Sequence, residues 1–73
     1  MGAFFRIKEN LNSMTKSEKK IAKYILQSPK EIINDSAQEI ALKTSTSPAS
    51  VIRFTKKAGY NSLNEFKFAL VAE

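Results

Sequence analysis

Ser47-Pro48-Ala49-Ser50-Val51-Ile52-Arg53-Phe54-Thr55-Lys56-Lys57-Ala58-Gly59 reads as one helix whose start, body and stop are all marked. Ser47 suits the N-cap, where its hydroxyl accepts a free backbone N–H, and Pro48 suits the first helical position, where its missing N–H loses no bond. Gly59 stands where a left-handed C-terminal cap is wanted. At about 100° per residue, Val51, Phe54 and Ala58 share one face, while Ala49, Arg53 and Lys56 fall on nearly the opposite one. The outer face is small at its N-terminal end and basic beyond it.

Immediately upstream, the hydroxyl-rich Thr44-Ser45-Thr46 competes for backbone hydrogen bonds and predicts a tight turn. Before the turn, Ser36 and Glu39 have capping-box spacing, and Ala37, Ile40 and Ala41 supply the buried side of a helix reaching Lys43 or Thr44. Ala41 is small where the two helices must cross closely. Two short helices joined by a turn of three or four residues, the second led by Ser-Pro, form the helix-turn-helix arrangement of DNA readers.

The flanking sequence supplies the support for this pair. Phe4, Ile7 and Leu11 recur at helical spacing and predict a first short helix ending before Asn12-Ser13. Thr15 and Glu18 form another capping box, opening a helix from Lys16 to Gln27 with Ile21, Ala22, Ile25 and Leu26 as its apolar stripe. Lys16, Lys19, Lys20 and Lys23 lie on its other faces and read as solvated, with a supporting phosphate contact as the alternative. Pro29 to Ile33 suits one helical turn acting as a connector. Ser62 and Glu65 form a third capping box, opening a last helix through Leu63, Phe66, Ala69 and Leu70. Phe54, Tyr60, Phe66 and Phe68 read as core residues rather than base-stacking aromatics. The expectation is an all-α fold: one domain over residues 1–73, a compact bundle of about five helices containing a helix-turn-helix.

Composition narrows the chemistry. The 73 residues contain no cysteine and no histidine, which removes disulfides, Cys/His zinc sites and imidazole acid–base work. No cofactor or metal site is expected. Twelve Lys and Arg against seven Asp and Glu give a net charge of +5, favouring polyanionic partners. No apolar run approaches the roughly 20 residues of a membrane span, and Met1-Gly2-Ala3-Phe4-Phe5-Arg6 does not suit a signal peptide, so a cytoplasmic location is expected. Arg6 stands where a myristoylation motif wants Ser or Thr. Glu18, Glu39 and Glu65 each have a capping role, which leaves no carboxylate pair for catalysis.

A major groove about 12 Å wide admits a helix whose first turn lacks bulk. Ser47, Pro48, Ala49 and Ser50 form that turn, and the positive end of the helix dipole favours a phosphate there. Arg53 is the candidate for direct readout, because its planar fork matches guanine O6 and N7 together. Lys56 and Lys57 are placed to hold backbone phosphate. For Arg53 an ordinary solvated charge is the rival reading.

With these motifs in hand, the chain resembles the N-terminal helix-turn-helix domain of the RpiR family of bacterial sugar-responsive regulators, over nearly its whole length. Met14-Thr15-Lys16-Ser17-Glu18-Lys19-Lys20-Ile21-Ala22-Lys23-Tyr24-Ile25 matches the family's Leu-Thr-x-x-Glu-x-x-Ile-Ala-x-Tyr-Ile stretch. Ser36 to Leu42 matches Ser-x-x-Glu-Leu-Ala with Ile40 for leucine. Ser47 to Tyr60, followed by Leu63-Asn64-Glu65-Phe66-Lys67, matches Ser-x-x-Thr-Val-x-Arg-Phe-x-Lys-x-x-Gly-Phe and Phe-x-Glu-Phe-Lys. Three departures stand out. Ser45-Thr46 replaces a usual Gly-Val, which predicts a looser turn with Thr46 facing outward toward DNA. Ser50 replaces threonine and loses a methyl that could meet a thymine methyl, and Tyr60 replaces phenylalanine.

The resemblance implies a homeodomain-like reader of double-stranded DNA and a C-terminal sugar-isomerase-type domain that senses a phosphorylated sugar. The present chain ends at Val71-Ala72-Glu73 within a predicted helix, as a fragment of such a regulator would. One basic face is small for tight specific binding, so a homodimer reading two half-sites is expected. The rival classes are a protein-interaction module, and an RNA or membrane-surface role for the lysine-rich helix.

Overall fold

The computed structural model describes residues 2–72; the expectations that touch Met1 and Glu73 lie outside them. Six helices follow one another: α1 (Ala3–Asn10), α2 (Lys16–Gln27), α3 (Pro29–Ile32), α4 (Ala37–Thr44), α5 (Pro48–Lys57) and α6 (Leu63–Val71). A 3₁₀ turn, Leu11–Ser13, closes α1, and α3 is the single connecting turn expected from Pro29. The described residues contain no strand, and no helix among them is long and apolar enough to cross a membrane.

The helix starts follow from their caps. Thr15 and Ser36 each accept the backbone N–H three residues on, while Glu18 and Glu39 reach back to the cap's own N–H, so both capping boxes are complete. The third is half formed. Ser62 accepts from the Glu65 N–H at 3.1 Å, and no reciprocal bond from the Glu65 carboxylate is present.

Helix α5 packs against both α2 and α4, and α1 and α6 close the bundle around them. Ile7, Ile21, Ile25, Ile32, Ile40, Val51, Phe54, Ala58 and Phe66 are fully buried there. The Phe66 ring receives Phe54 and Tyr60 edge to face at 5.6 and 5.4 Å. Burial of one such side chain is worth about 1.5–3 kcal/mol, so these aromatics fasten α6 to the end of α5. Phe4, Leu11 and Leu26 are only partly buried against this core.

Phe68 corrects the sequence reading: it is 79% exposed. The buried side of α6 is set by Phe66 and Leu70, and a residue two positions from Phe66 points about 200° away from it. A polar tie completes the fold behind α4. The buried Asp35 carboxylate accepts from the Tyr24 hydroxyl and pairs with Lys43, both at 3.1 Å, and the Asp35 carbonyl accepts from Lys67.

Candidate nucleic-acid interface

The turn between α4 and α5 is closed by its own backbone. Thr46 N–H donates to the Ala41 carbonyl at 2.9 Å and Ser45 N–H to that of Leu42 at 3.3 Å, the paired bonds of a Schellman ending. Such an ending needs a left-handed residue, and Ser45 takes it, at φ 56° and ψ 44°. The looser turn and outward Thr46 expected from the Ser45-Thr46 departure are therefore not found. Thr46 is half-buried, and its hydroxyl shares a 2.8 Å hydrogen bond with that of the buried Thr44.

Helix α5 then starts as its sequence dictates. Ser47 accepts the Ser50 N–H at 3.2 Å, with Pro48 in the first turn. Its far end is another Schellman pair: Tyr60 N–H to the Thr55 carbonyl and Gly59 N–H to that of Lys56, with Gly59 at φ 99°. Arg6 seals this end, donating to the Gly59 carbonyl and lying 5.2 Å from the Tyr60 ring centroid.

Between these ends the expected site residues divide. Ala49, Arg53 and Lys56 are exposed along the outward side of α5, and Ser47 and Pro48 are exposed at its N-terminal end. Lys56 makes no side-chain hydrogen bond or ion pair among the described residues. Ser50 and Lys57, expected as contacts of the same kind, are held by the protein itself. Ser50 is buried, its Oγ 3.0 Å from that of Ser47 and accepting from Arg53 Nη2 at 3.1 Å. Lys57 Nζ donates to the Ser13 carbonyl at 2.9 Å and lies 3.1 Å from Glu18 Oε1.

Glu18 is the group that sequence reasoning left as a cap. Its carboxylate, 1% exposed, accepts the Thr15 N–H through Oε1, pairs with Lys57, and brings Oε2 within 3.9 Å of Arg53 Nε. Burial pushes the pKa of this carboxyl up, but the Thr15 N–H and Lys57 outweigh burial and hold it below the ordinary glutamate value. The anion that steadies α5 is thus supplied by the first turn of α2. Ile52 was also missed. It is exposed beside the outward face, as its position about 100° from Val51 allows.

A short helix that offers a small first turn and then cations, seated on a second helix through a tight turn, defines a helix-turn-helix domain, the class of module with which transcription regulators read DNA. A family model described as the helix-turn-helix domain of the rpiR family matches residues 1–73. The chain belongs to that family. It is 45% identical over 71 residues to an HTH-type transcriptional regulator of Thermotoga maritima, covering 96% of this chain and 25% of that protein. It is 37% identical over 67 residues to the bifunctional protein glk of Paraburkholderia xenovorans, covering 92% of this chain and 10% of that one. In three dimensions it superposes with a TM-score of 0.91 and 28% identity on the N-terminal domain of ybbH from Bacillus subtilis, described as a transcriptional regulator, covering 97% of this chain and 87% of that one. The chain spans about a quarter or less of the length of these curated relatives.

Proposed function

We propose that this domain binds double-stranded DNA with α5 in the major groove, Arg53 reading a base edge and Lys56 holding a phosphate. The observation that carries the reading is the outward face on which Ala49, Arg53 and Lys56 are exposed, with Ser47 and Pro48 exposed at its N-terminal end, on a helix with no acidic residue of its own. Ser47 and Ala49 let the first turn of α5 approach the duplex closely, and the positive end of the helix favours a phosphate beside Ser47. Thr46, Ser50 and Lys57 support this surface from behind.

Residues 1–73 act as one DNA-binding domain without catalysis of its own. Recurrence of the same stretch in relatives of quite different length supports a self-contained unit. The regulator works in the cytoplasm as a homodimer on paired half-sites. Its DNA affinity is set by a phosphorylated sugar bound to a sugar-isomerase-type domain beyond this one, as expected of the family it belongs to. Selection of bound duplexes from a random library tests the core of this reading. A palindromic consensus, with affinity falling steeply as salt rises, is expected. Salt-insensitive binding, or no enrichment of any sequence, would refute it.

A further inference from the structure

We propose that Glu18 and Ser50 are positioning residues for DNA readout: neither reaches the duplex, and together they set the pose from which Arg53 reads its base pair. The inference rests on the DNA-binding reading above.

Arg53 stands with 61% of its side chain exposed, yet the protein engages it on two sides. Nη2 donates to Ser50 Oγ at 3.1 Å, and Nε faces Glu18 Oε2 at 3.9 Å. A guanidinium has five N–H donors; one Nη2 hydrogen goes to Ser50 and Nε lies beside the Glu18 carboxylate, too far to hydrogen-bond, so Nη1 and the second Nη2 hydrogen remain for a partner outside. A bidentate contact to guanine O6 and N7 needs such a pair. Fixing the stem beforehand reduces the rotamer freedom lost on binding.

The two supports are themselves held by other parts of the protein. Ser50 is buried and bonded to the N-cap Ser47. Glu18 Oε1 is occupied by the Thr15 N–H and by Lys57, which in turn is tied to the Ser13 carbonyl. That leaves Oε2 facing Arg53. A carboxylate placed behind a DNA-facing helix opposes phosphate attraction, because it competes for the cations that would otherwise reach the backbone. Its presence is explained if it restrains Arg53 and Lys57 from indiscriminate phosphate contacts, favouring base discrimination over bulk affinity.

The experiment measures the full chain and its variants on two duplexes: a site selected from a random library, and the same site changed at the base pair where Arg53→Ala relaxes preference. Glu18→Gln keeps an oxygen for the Thr15 N–H and removes the charge. It should lower discrimination between the duplexes about tenfold, within the range of one bidentate contact. It should also keep or raise affinity for the changed duplex, and steepen its salt slope by about 0.9 for each phosphate gained. Ser50→Ala, which spares the capping box and decides the matter if Glu18→Gln unfolds, should lower discrimination without steepening the slope. In an Arg53→Ala background neither substitution should change discrimination further. Discrimination retained in either folded variant, or equal weakening on both duplexes, would overturn the proposal. A wild-type chain that selects no sequence from the library would instead refute the DNA-reading function on which it rests.

Discussion

Lys57 and Glu18 are 39 positions apart in sequence and 3.1 Å apart in space, joining the last turn of α5 to the first turn of α2 across an almost fully buried carboxylate. The contact gives Lys57 a different duty from Lys56, its neighbour in the chain. One lysine holds the reading helix in place, and the other stands free on its outward face.

Lys57→Ala should therefore destabilise the domain. Removing the cation leaves a buried carboxylate short of its nearest counter-charge, a loss of roughly 1–3 kcal/mol for a site where the lysine keeps some contact with water. Urea unfolding is expected to show a lower midpoint at unchanged slope. A midpoint equal to that of the wild type would show that the pair does not hold the fold.

Lys56→Ala should do the reverse. With no partner among the described residues to lose, it is expected to leave the urea midpoint within about 0.5 kcal/mol of wild type. The slope of log affinity against log salt should fall in magnitude by about 0.9, the contribution of one phosphate. An unchanged slope would remove Lys56 from the DNA surface.

Acid should weaken the fold through Glu18. Its carboxyl titrates below the ordinary glutamate value of 4.5, held there by the Thr15 N–H and Lys57 against the opposing effect of burial. A group whose pKa is depressed on folding contributes its full stability above the unfolded value and loses it as pH falls through the folded value. Stability should accordingly decline below about pH 5. Glu18→Gln should be less stable near neutrality yet lose less over the same acid range. Parallel pH profiles for the two proteins would contradict this assignment.

Ser45→Gly should stabilise the turn. Ser45 holds a left-handed backbone that costs an L-residue about 1–2 kcal/mol, against about 0.5–1 kcal/mol of extra chain entropy for glycine. Ser45 is exposed, so its side chain buries no packing surface. The balance predicts a rise in Tm of roughly 2–6 °C by calorimetry. A fall would indicate that the serine side chain contributes more than its backbone strain costs.

Much of the bundle was legible before folding because helix starts are local. Thr15, Ser36, Ser47 and Ser62 cap helices through bonds to residues three positions away, and Pro48 and Gly59 mark the ends of α5 within a single stretch of chain. The division of α5 into Val51 and Phe54 inside, with Ala49, Arg53 and Lys56 outside, was legible for the same reason, since helical periodicity fixes it. Phe68 was misread from its hydrophobicity alone, although helical phase already turns it about 200° from the buried Phe66. Ser45 was misread as loosening its turn because composition shows that glycine is preferred in a left-handed position, not that serine can still occupy it.

The sequence by itself determined the helices, their caps and the helix-turn-helix arrangement, all of which depend on interactions within about four residues. Tertiary structure decided which polar residues on α5 remain outside. Lys57 carries the same charge as Lys56 and is half-buried because α2 packs beside α5 and brings the Glu18 carboxylate to it, while the buried Ser50 has its hydroxyl bonded to Ser47 and Arg53 of its own helix and cap. A buried charge must find its counter-charge wherever packing places it, and no local periodicity records that partner.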